Sequence, residues 1–481
     1  MAIWSVIRSR TIVHHLSKRV GFLGLLSDKN SWTSSLRQYG CSSAVPLGEN
    51  FGNPATHFPV RFKSTEAARE FDTQSQYINE VDDDQALDFP GGKVAFTTEM
   101  SFISESADKR VPCYRVLDGN GEPILSSNNF VQVGKELAVK MYNDMVTLQV
   151  MDTVFYEAQR QGRISFYLTT MGEEALNIAT AAALTADDLV LPQYREPGVL
   201  LWRGFTLQDF ANQCFGNMAD TGKARQMPIH YVSKNHNYFA VSSPIATQLP
   251  QSVGVAYSLK MDGKKACAVA FTGDGGTRRF PCRFEFRSSF GRPSRFIVRN
   301  NGWAISTPTH EQFRSDGLVV RGRAYGIRSI RVDGNDALAV YNAVQTAREM
   351  AISEQRPILV EAMTYRVGHH STSDDSTKYR PLEEIEYWKN ERNSVNRFRK
   401  WIERNGWWSD TEESELRSSI RKQVLQAIQN AEKTEKPNSQ TCSLMSMIIH
   451  HQTFKSRRNY LEKTSGDIRK TTHLMFLFRK S

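Results

Sequence analysis

Two short stretches carry chemistry by the type and spacing of their residues. Gly273-Asp274-Gly275-Gly276 follows an apolar run at residues 266–271, and Arg299-Asn300-Asn301-Gly302-Trp303 follows a second run at 296–298. Glycine lets a backbone approach a phosphate closely. A carboxylate and an amide oxygen are hard ligands of the kind Mg²⁺ shares with phosphate oxygens. A lone Gly-Asp-Gly is more often a turn than a metal site, but an Asn-Asn-Gly about 27 positions later, after a second apolar run, makes the pair a strong candidate.

The elements that must hold these stretches are legible as alternation. Apolar runs at 266–271, 296–298, 330–332 and 358–363 are separated by helical patterns, among them 337–351. Short apolar strands between helices predict an α/β fold, a parallel sheet with helices on both faces, and in such sheets ligands collect at the carboxyl ends of the strands. Upstream, Leu137, Met141, Met145, Leu148 and Phe155 recur at helical spacing up to Gly162. Thr170 and Glu173 read as a capping box opening an alanine-rich helix through Ala183.

The chain has 481 residues, 40% hydrophobic and 23% charged, which excludes disorder throughout, and no stretch is apolar enough to span a membrane. The net charge of +10 is not spread evenly. Segments 1–63, 278–299 and 438–481 each carry +6, leaving the remainder at −8, so the basic balance is no argument for nucleic acid. The six cysteines are far apart, with no metal-binding spacing, and fit a reducing compartment. The first 27 residues lack any acid and interleave Arg8, Arg10, Lys18 and Arg19 with apolar and hydroxyl residues, the composition of a mitochondrial targeting segment; a basic tail is the alternative. The expected division is a transit peptide and flexible leader at 1–63, an irregular arm at 64–130, a main domain at 131–400, helices at 401–437 and a basic tail at 438–481.

The two glycine- and asparagine-bearing stretches resemble the diphosphate-binding pattern of thiamine diphosphate enzymes. Three more stretches narrow the resemblance: Gln193-Tyr194-Arg195-Glu196-Pro197-Gly198, Ser242-Ser243-Pro244-Ile245-Ala246-Thr247-Gln248, and Tyr365-Arg366-Val367-Gly368-His369-His370-Ser371-Thr372-Ser373-Asp374-Asp375. Together they are similar to the alpha subunits of branched-chain 2-oxoacid dehydrogenases over roughly residues 85–437, apart from one segment. The resemblance implies a thiamine diphosphate-binding fold in the mitochondrial matrix. It also implies oxidative decarboxylation of branched-chain 2-oxoacids such as 3-methyl-2-oxobutanoate, with acyl transfer to lipoyl groups. Pyruvate or acetoin oxidation and a non-catalytic paralogue are the alternatives.

The resemblance also implies roles for residues. Asp274, Asn301 and the Trp303 carbonyl would hold Mg²⁺. Tyr194, Arg195, Ser243, Ile245, Gly273, Gly275, Gly276, Arg299 and His370 would surround the cofactor, with His370 catalytic. Phe166, Gln193 and Tyr194 would shape the substrate pocket, and Ser242, Pro244, Thr247 and Gln248 would bind a structural K⁺. Ser371 matches the family's phosphorylated serine, while its second phosphorylated serine corresponds to Pro381. Read without the resemblance, Tyr194-Arg195 is a surface pair, His369-His370 a solvated loop, Phe166 a core aromatic and 242–248 a helix cap. The implied partners are a beta subunit in an α₂β₂ assembly, a lipoyl-bearing acyltransferase core, and a dedicated kinase and phosphatase; no membrane insertion is expected.

Two segments depart from the family pattern. Residues 278–296 hold six arginines against Glu285, with Pro281 near the start, where the family has an acidic helix of small residues. Resemblance ends again at Lys436-Pro437. Both segments read as out of frame or mis-spliced, with a native basic tail as the alternative for the second.

Overall fold

The computed structural model describes residues 86–89, 92–95, 110–124, 132–279 and 294–438. The leader 1–63, the core of the arginine-rich segment at 280–293 and the tail beyond 438 lie outside the described residues. The chain divides into two units, Met1–Met100 and Ser101–Ser481. In the first, β1 (Ala86–Phe89) pairs antiparallel with β2 (Gly92–Ala95).

The second unit begins with β3 (Cys113–Tyr114), followed by α1 (Lys135–Arg160), α2 (Glu174–Ala182), β4 (Leu189–Leu191), α3 (Pro197–Trp202) and α4 (Leu207–Phe215). Next come α5 (Gln248–Met261), β5 (Ala268–Gly273), a 3₁₀ turn at Gly275–Arg279 and β6 (Ser294–Asn300). The short pair β7 (Trp303–Ala304) and β8 (Thr307–Pro308) leads to α6 (Thr309–Gln312), α7 (Val319–Ala324), β9 (Arg328–Asp333), α8 (Ala337–Ser353) and β10 (Ile358–Met363). Helices α9 (Leu382–Asn390), α10 (Ser394–Arg404) and α11 (Asp410–Lys433) close the described chain.

Six strands form one parallel sheet in the order β3-β9-β10-β6-β5-β4. Alternate residues face two apolar layers: Val269, Phe271, Ile297, Val360 and Ala362 on one side, Ala268, Ala270, Phe296, Val298 and Leu359 on the other. Helix α8 covers the first face and α5 the second. Both faces being buried, the strands read as unbroken apolar runs.

The four expected strands and the long helix are present, and two strands had no signal. β4 has only three residues, and β3, a two-residue edge strand, comes from the arm expected to be irregular. The boundary drawn at 400 falls inside α10, whose Phe398, Trp401 and Ile402 share the main core with Ile420, Val424 and Ile428 of α11. The capping box at Thr170 does not form. Thr170 gives its hydroxyl to Asp152 at 2.6 Å, and Glu173, at the start of α2, makes no side-chain cap.

Candidate active site

Strands β5 and β6 are neighbours in the sheet, so their carboxyl ends deliver Gly273 and Arg299 side by side in register. The Gly273 N–H donates to Gln193 Oε1 at 2.7 Å, tying the turn to the segment after β4. A Cβ on Gly275 would lie 2.7 Å from the Ala304 Cβ, and one on Gly276 would lie 2.3 Å from Thr272 Oγ1. Neither Gly275 nor Gly276 therefore has room for a side chain. Asp274 is buried, which raises its pKa, and it accepts from Gln312 Nε2 at 2.5 Å. Asn300 gives its amide to Glu361 Oε1 at 2.9 Å, and Asn301 gives its own to Glu173 Oε1 at 2.7 Å. The Trp303 carbonyl accepts from Arg366 Nη1 at 3.3 Å.

Arg195 is buried, which lowers its pKa, and its terminal nitrogens donate to the carbonyls of Thr169 and His370. Burial first, then the positive fields of Arg195 and Arg366, push the His370 imidazole down to about 3, so it is neutral near pH 7. The Tyr194 ring stands edge-on to His370, centroids 6.3 Å apart, with the guanidinium carbons of Arg195 and Arg299 5.3 and 5.6 Å from its centre. Arg299 is already paired within the protein. Its Nε lies 3.0 Å from Glu173 Oε2 and its Nη1 donates to Glu196 Oε1, which leaves chiefly Nη2 for a ligand. Burial opposes its charge, but Glu196 and Glu173 outweigh that and raise its pKa.

These groups enclose a cavity of about 390 Å³ whose lining includes Gln193, Tyr194, Arg195, Ile245, Arg299 and His370, the whole turn from Gly273 to Gly276, Asn301, Trp303, Ala304, Ile305 and Arg366. A larger cleft of about 650 Å³, lined by Arg115, Asp333 and Trp388 among others, shares only Trp303 with it and holds no glycine-rich turn. Chemistry rather than size marks the smaller one. It combines a turn open to phosphate, guanidinium donors, a buried carboxylate and an amide oxygen, and the buried Arg366 Nε has no hydrogen-bond partner. That donor set fits a diphosphate with its divalent cation.

Some expected members stand elsewhere. Phe166 packs half-buried against the main core and is not in the lining. Ser243 is also outside the lining, with its hydroxyl 2.8 Å from His230 Nε2. Of the potassium candidates, Thr247 donates to the Pro244 carbonyl at 3.1 Å and does not cap α5, while Gln248 donates to the Phe271 carbonyl at 2.6 Å. Ser242 lies just before that turn.

The loop after β10 is tied down at several points. His370 N–H and the Tyr379 hydroxyl both donate to Asp374 Oδ2 at 2.7 Å, and Arg366 Nη2 donates to Tyr379 Oη at 3.0 Å. Arg380 donates to the carbonyls of Arg366 and Gly368. Thr372 Oγ1 accepts from Tyr167 N–H at 3.0 Å, and Ser371, half-buried, accepts Asp374 N–H on its carbonyl at 3.1 Å. Sequence reasoning missed the contributions of Glu173, Glu196, Gln312 and Arg366. Glu196 and Arg366 sat inside quoted motifs without a role, and Gln312 had no signal at all.

Residues 142–440 match the family described as dehydrogenase E1 component. Among curated proteins, the chain is 62% identical over 440 residues to the mitochondrial 2-oxoisovalerate dehydrogenase subunit alpha 1 of Arabidopsis thaliana, covering 91% of each chain. It is 68% identical over 369 residues to subunit alpha 2 of the same plant, 76% of this chain and 77% of that one. With the Homo sapiens subunit alpha it shares 45% over 367 residues, 76% of this chain and 82% of the human one. A polar cavity at the ends of two neighbouring parallel strands and likenesses covering 76–91% of the chain agree: the chain belongs to the dehydrogenase E1 component family, among the mitochondrial 2-oxoisovalerate dehydrogenase alpha subunits.

Proposed function

We propose that this chain is the alpha subunit of a mitochondrial branched-chain 2-oxoacid dehydrogenase, dependent on thiamine diphosphate and working with a beta subunit. The observation that carries the reading is the cavity at the ends of β5 and β6. There Asp274, Asn301, Arg195 and a neutral His370 meet around a turn whose Gly275 and Gly276 have no space for side chains.

The cofactor supplies a carbon nucleophile and an electron sink for the pair released when carbon dioxide leaves a 2-oxoacid. The chain's own residues bind and orient it. Asp274, Asn301 and the Trp303 carbonyl supply oxygens for Mg²⁺. Arg195 has N–H groups beyond the two bonded to carbonyls, and these suit phosphate oxygens, as does Arg299 Nη2. The 273–276 turn brings its backbone close to the phosphate. His370, neutral in the cavity, holds a proton on one ring nitrogen and a lone pair on the other, so it can steady a hydrogen bond to the reacting carbonyl oxygen. Gln193 and Tyr194, with Ile245, Trp303 and Ile305 beside them, form a wall suited to a branched acyl chain. Ser242, Pro244, Thr247 and Gln248 supply the oxygens for K⁺ at the turn before α5.

The reading extends to an α₂β₂ assembly in the matrix, docked on a lipoyl-bearing acyltransferase core, with Ser371 the target of a kinase and phosphatase. Phosphate there adds close to two negative charges beside Asp374 and the diphosphate site, which disfavours both loop order and cofactor binding. The test is co-expression of the full chain with a beta subunit, followed by carbon dioxide release from 3-methyl-2-oxobutanoate and from pyruvate with a lipoyl acceptor, Mg²⁺ and thiamine diphosphate. Turnover of the branched acid, abolished by Asp274→Asn, is expected. Preference for pyruvate, or an unaffected Asp274→Asn variant, would overturn the reading.

A further inference from the structure

We infer that Glu173 is a positioning residue for the metal site: it fixes the amide of Asn301 so that the oxygen, not the nitrogen, is left to face the cation. The inference rests on the Mg²⁺ and thiamine diphosphate reading above and adds a residue that does not itself line the cavity.

An asparagine side chain offers one acceptor and one two-proton donor, nearly identical in shape. Nothing in a Gly-Asp-Gly to Asn-Asn pattern decides which end faces the ion. Here a fully buried carboxylate decides it, because Asn301 Nδ2 donates to Glu173 Oε1 at 2.7 Å. Oδ1 is then the remaining polar atom, occupied only by a 3.3 Å contact from Trp303 N–H. A flipped amide would turn a donor toward Mg²⁺ and set two acceptors against each other in a site where no water can compensate.

The other oxygen of Glu173 faces a charge. Oε2 lies 3.0 Å from Arg299 Nε as an ion pair with no hydrogen bond between them, and the far end of that guanidinium is gripped by Glu196, whose Oε2 accepts the N–H groups of Gln193 and Tyr194 at 2.8 and 2.9 Å. Both carboxylates and Arg299 are almost wholly buried. Glu173 is anchored through its main chain too, with its N–H on the Thr170 carbonyl at 2.8 Å and its own carbonyl accepting from Asn177. The metal-ligand turn after β6 is therefore keyed to the start of α2 by a residue with one oxygen hydrogen-bonded to Asn301 and the other paired with the Arg299 charge.

This geometry predicts how replacements interact. In Glu173→Gln one oxygen is left for two neighbours, the Arg299 guanidinium it faces as an ion pair and Asn301 Nδ2. The buried cation attracts that oxygen more strongly, so the new amide turns its nitrogen toward Asn301, which flips. In Asn301→Asp two carboxylates face each other without a proton between them. In the exchanged pair, Glu173→Gln with Asn301→Asp, the glutamine nitrogen donates to the aspartate, and an oxygen again faces the cation with the total charge unchanged.

The experiment uses the full chain co-expressed with a beta subunit. Mg²⁺-dependent binding of thiamine diphosphate is measured by calorimetry and by quenching of tryptophan fluorescence, with the melting temperature of the cofactor-free protein alongside. Each single replacement is expected to weaken Mg²⁺-dependent binding by about 10–100-fold, the usual consequence of disturbing a ligand's supporting partner. The exchanged pair is expected to recover at least half of that loss on a logarithmic scale. Full affinity in Glu173→Gln, or losses in the pair that simply add, would overturn the inference while leaving the cofactor reading intact. A single variant too unstable to purify leaves the decision to the pair: recovery of binding and of the melting temperature supports the exchange, and failure to recover overturns it. Absence of Mg²⁺-dependent binding in the unsubstituted protein would overturn both.

Discussion

Replacing Gly276 by alanine separates space from backbone conformation, because Gly276 is not among the glycines in the left-handed region and alanine tolerates its φ. The new Cβ would meet Thr272 Oγ1 at 2.3 Å, about 1.1 Å short of an ordinary 3.4 Å contact, and would also press on Ile245 Cγ2 at 3.3 Å. Thr272 is fully buried on β5, whose backbone pairs with Val298 of β6, so the strand cannot yield cheaply. Overpacking of this kind costs about 1–3 kcal/mol. If the turn moves to relieve it, the phosphate-facing backbone moves too. Converting that range at 1.4 kcal/mol per decade gives roughly 5- to 150-fold weaker thiamine diphosphate binding. Calorimetric titration with Mg²⁺ present, and thermal unfolding without cofactor, measure the two halves. Thr272→Ala removes the clashing hydroxyl and loses one weak 3.3 Å bond to the Gly273 carbonyl, so the double variant should bind better than Gly276→Ala alone. Wild-type affinity and melting point in Gly276→Ala would refute the reasoning, as would a Thr272→Ala change that adds its own loss without relief.

Three further outcomes are expected. His370, held down to about 3 by burial and by Arg195, Arg366 and Arg299, lies below the ordinary histidine value of 6.5. The unfolded chain therefore binds its proton first, and this group's contribution to stability falls as pH drops below about 6.5. A bound diphosphate anion should raise the value, so calorimetry in buffers of differing ionisation heat should show proton uptake on binding at pH 5–6. Asp152→Leu should cost about 1–3 kcal/mol for each buried group it orphans among Tyr167 Oη, Thr170 N–H and Thr170 Oγ1. Unfolding curves measure that cost, and limited proteolysis should show earlier cleavage at 366–380, because Tyr167 anchors Thr372. Ser371→Glu should likewise speed cleavage of that loop and weaken cofactor binding, through repulsion from Asp374 and from the diphosphate; unchanged protection would count against the charge argument.

The sheet was readable because burial on both faces writes itself as apolar runs, as at Ile358–Met363, where only the last residue is exposed. β3 left no such mark, since two residues at an edge need no run, and β4 was too short to separate from its surroundings. In the site, local chemistry was legible: Asp274, Asn301 and His370 line one cavity as their motifs suggested. Their supporting partners were not, because Glu173 reaches Asn301 across 128 positions and Glu196 reaches Arg299 across 103. Thr170 and Glu173 show the limit of a local rule. Their spacing suits a capping box, but a buried carboxylate on α1 and an arginine on β6 offered each a stronger partner. Phe166 packs against the core and does not line this cavity, and an aromatic near a site and an aromatic in the core look alike in one dimension.

The edge strand β3 has a consequence for how the chain reaches its folded state. It pairs with β9, and Asp336 just beyond β9 accepts the N–H groups of Val116 and Leu117 from residues 220 and 219 positions earlier. A polypeptide made from its amino end must hold this segment unpaired until more than two-thirds of its length exists. Contacts of such long range are slow to close, and the flank of β9 stays exposed to wrong partners in the meantime. Refolding of this unit should therefore be slow and helped by chaperones, with hydrogen exchange at Val116 and Leu117 among the last amides to gain protection.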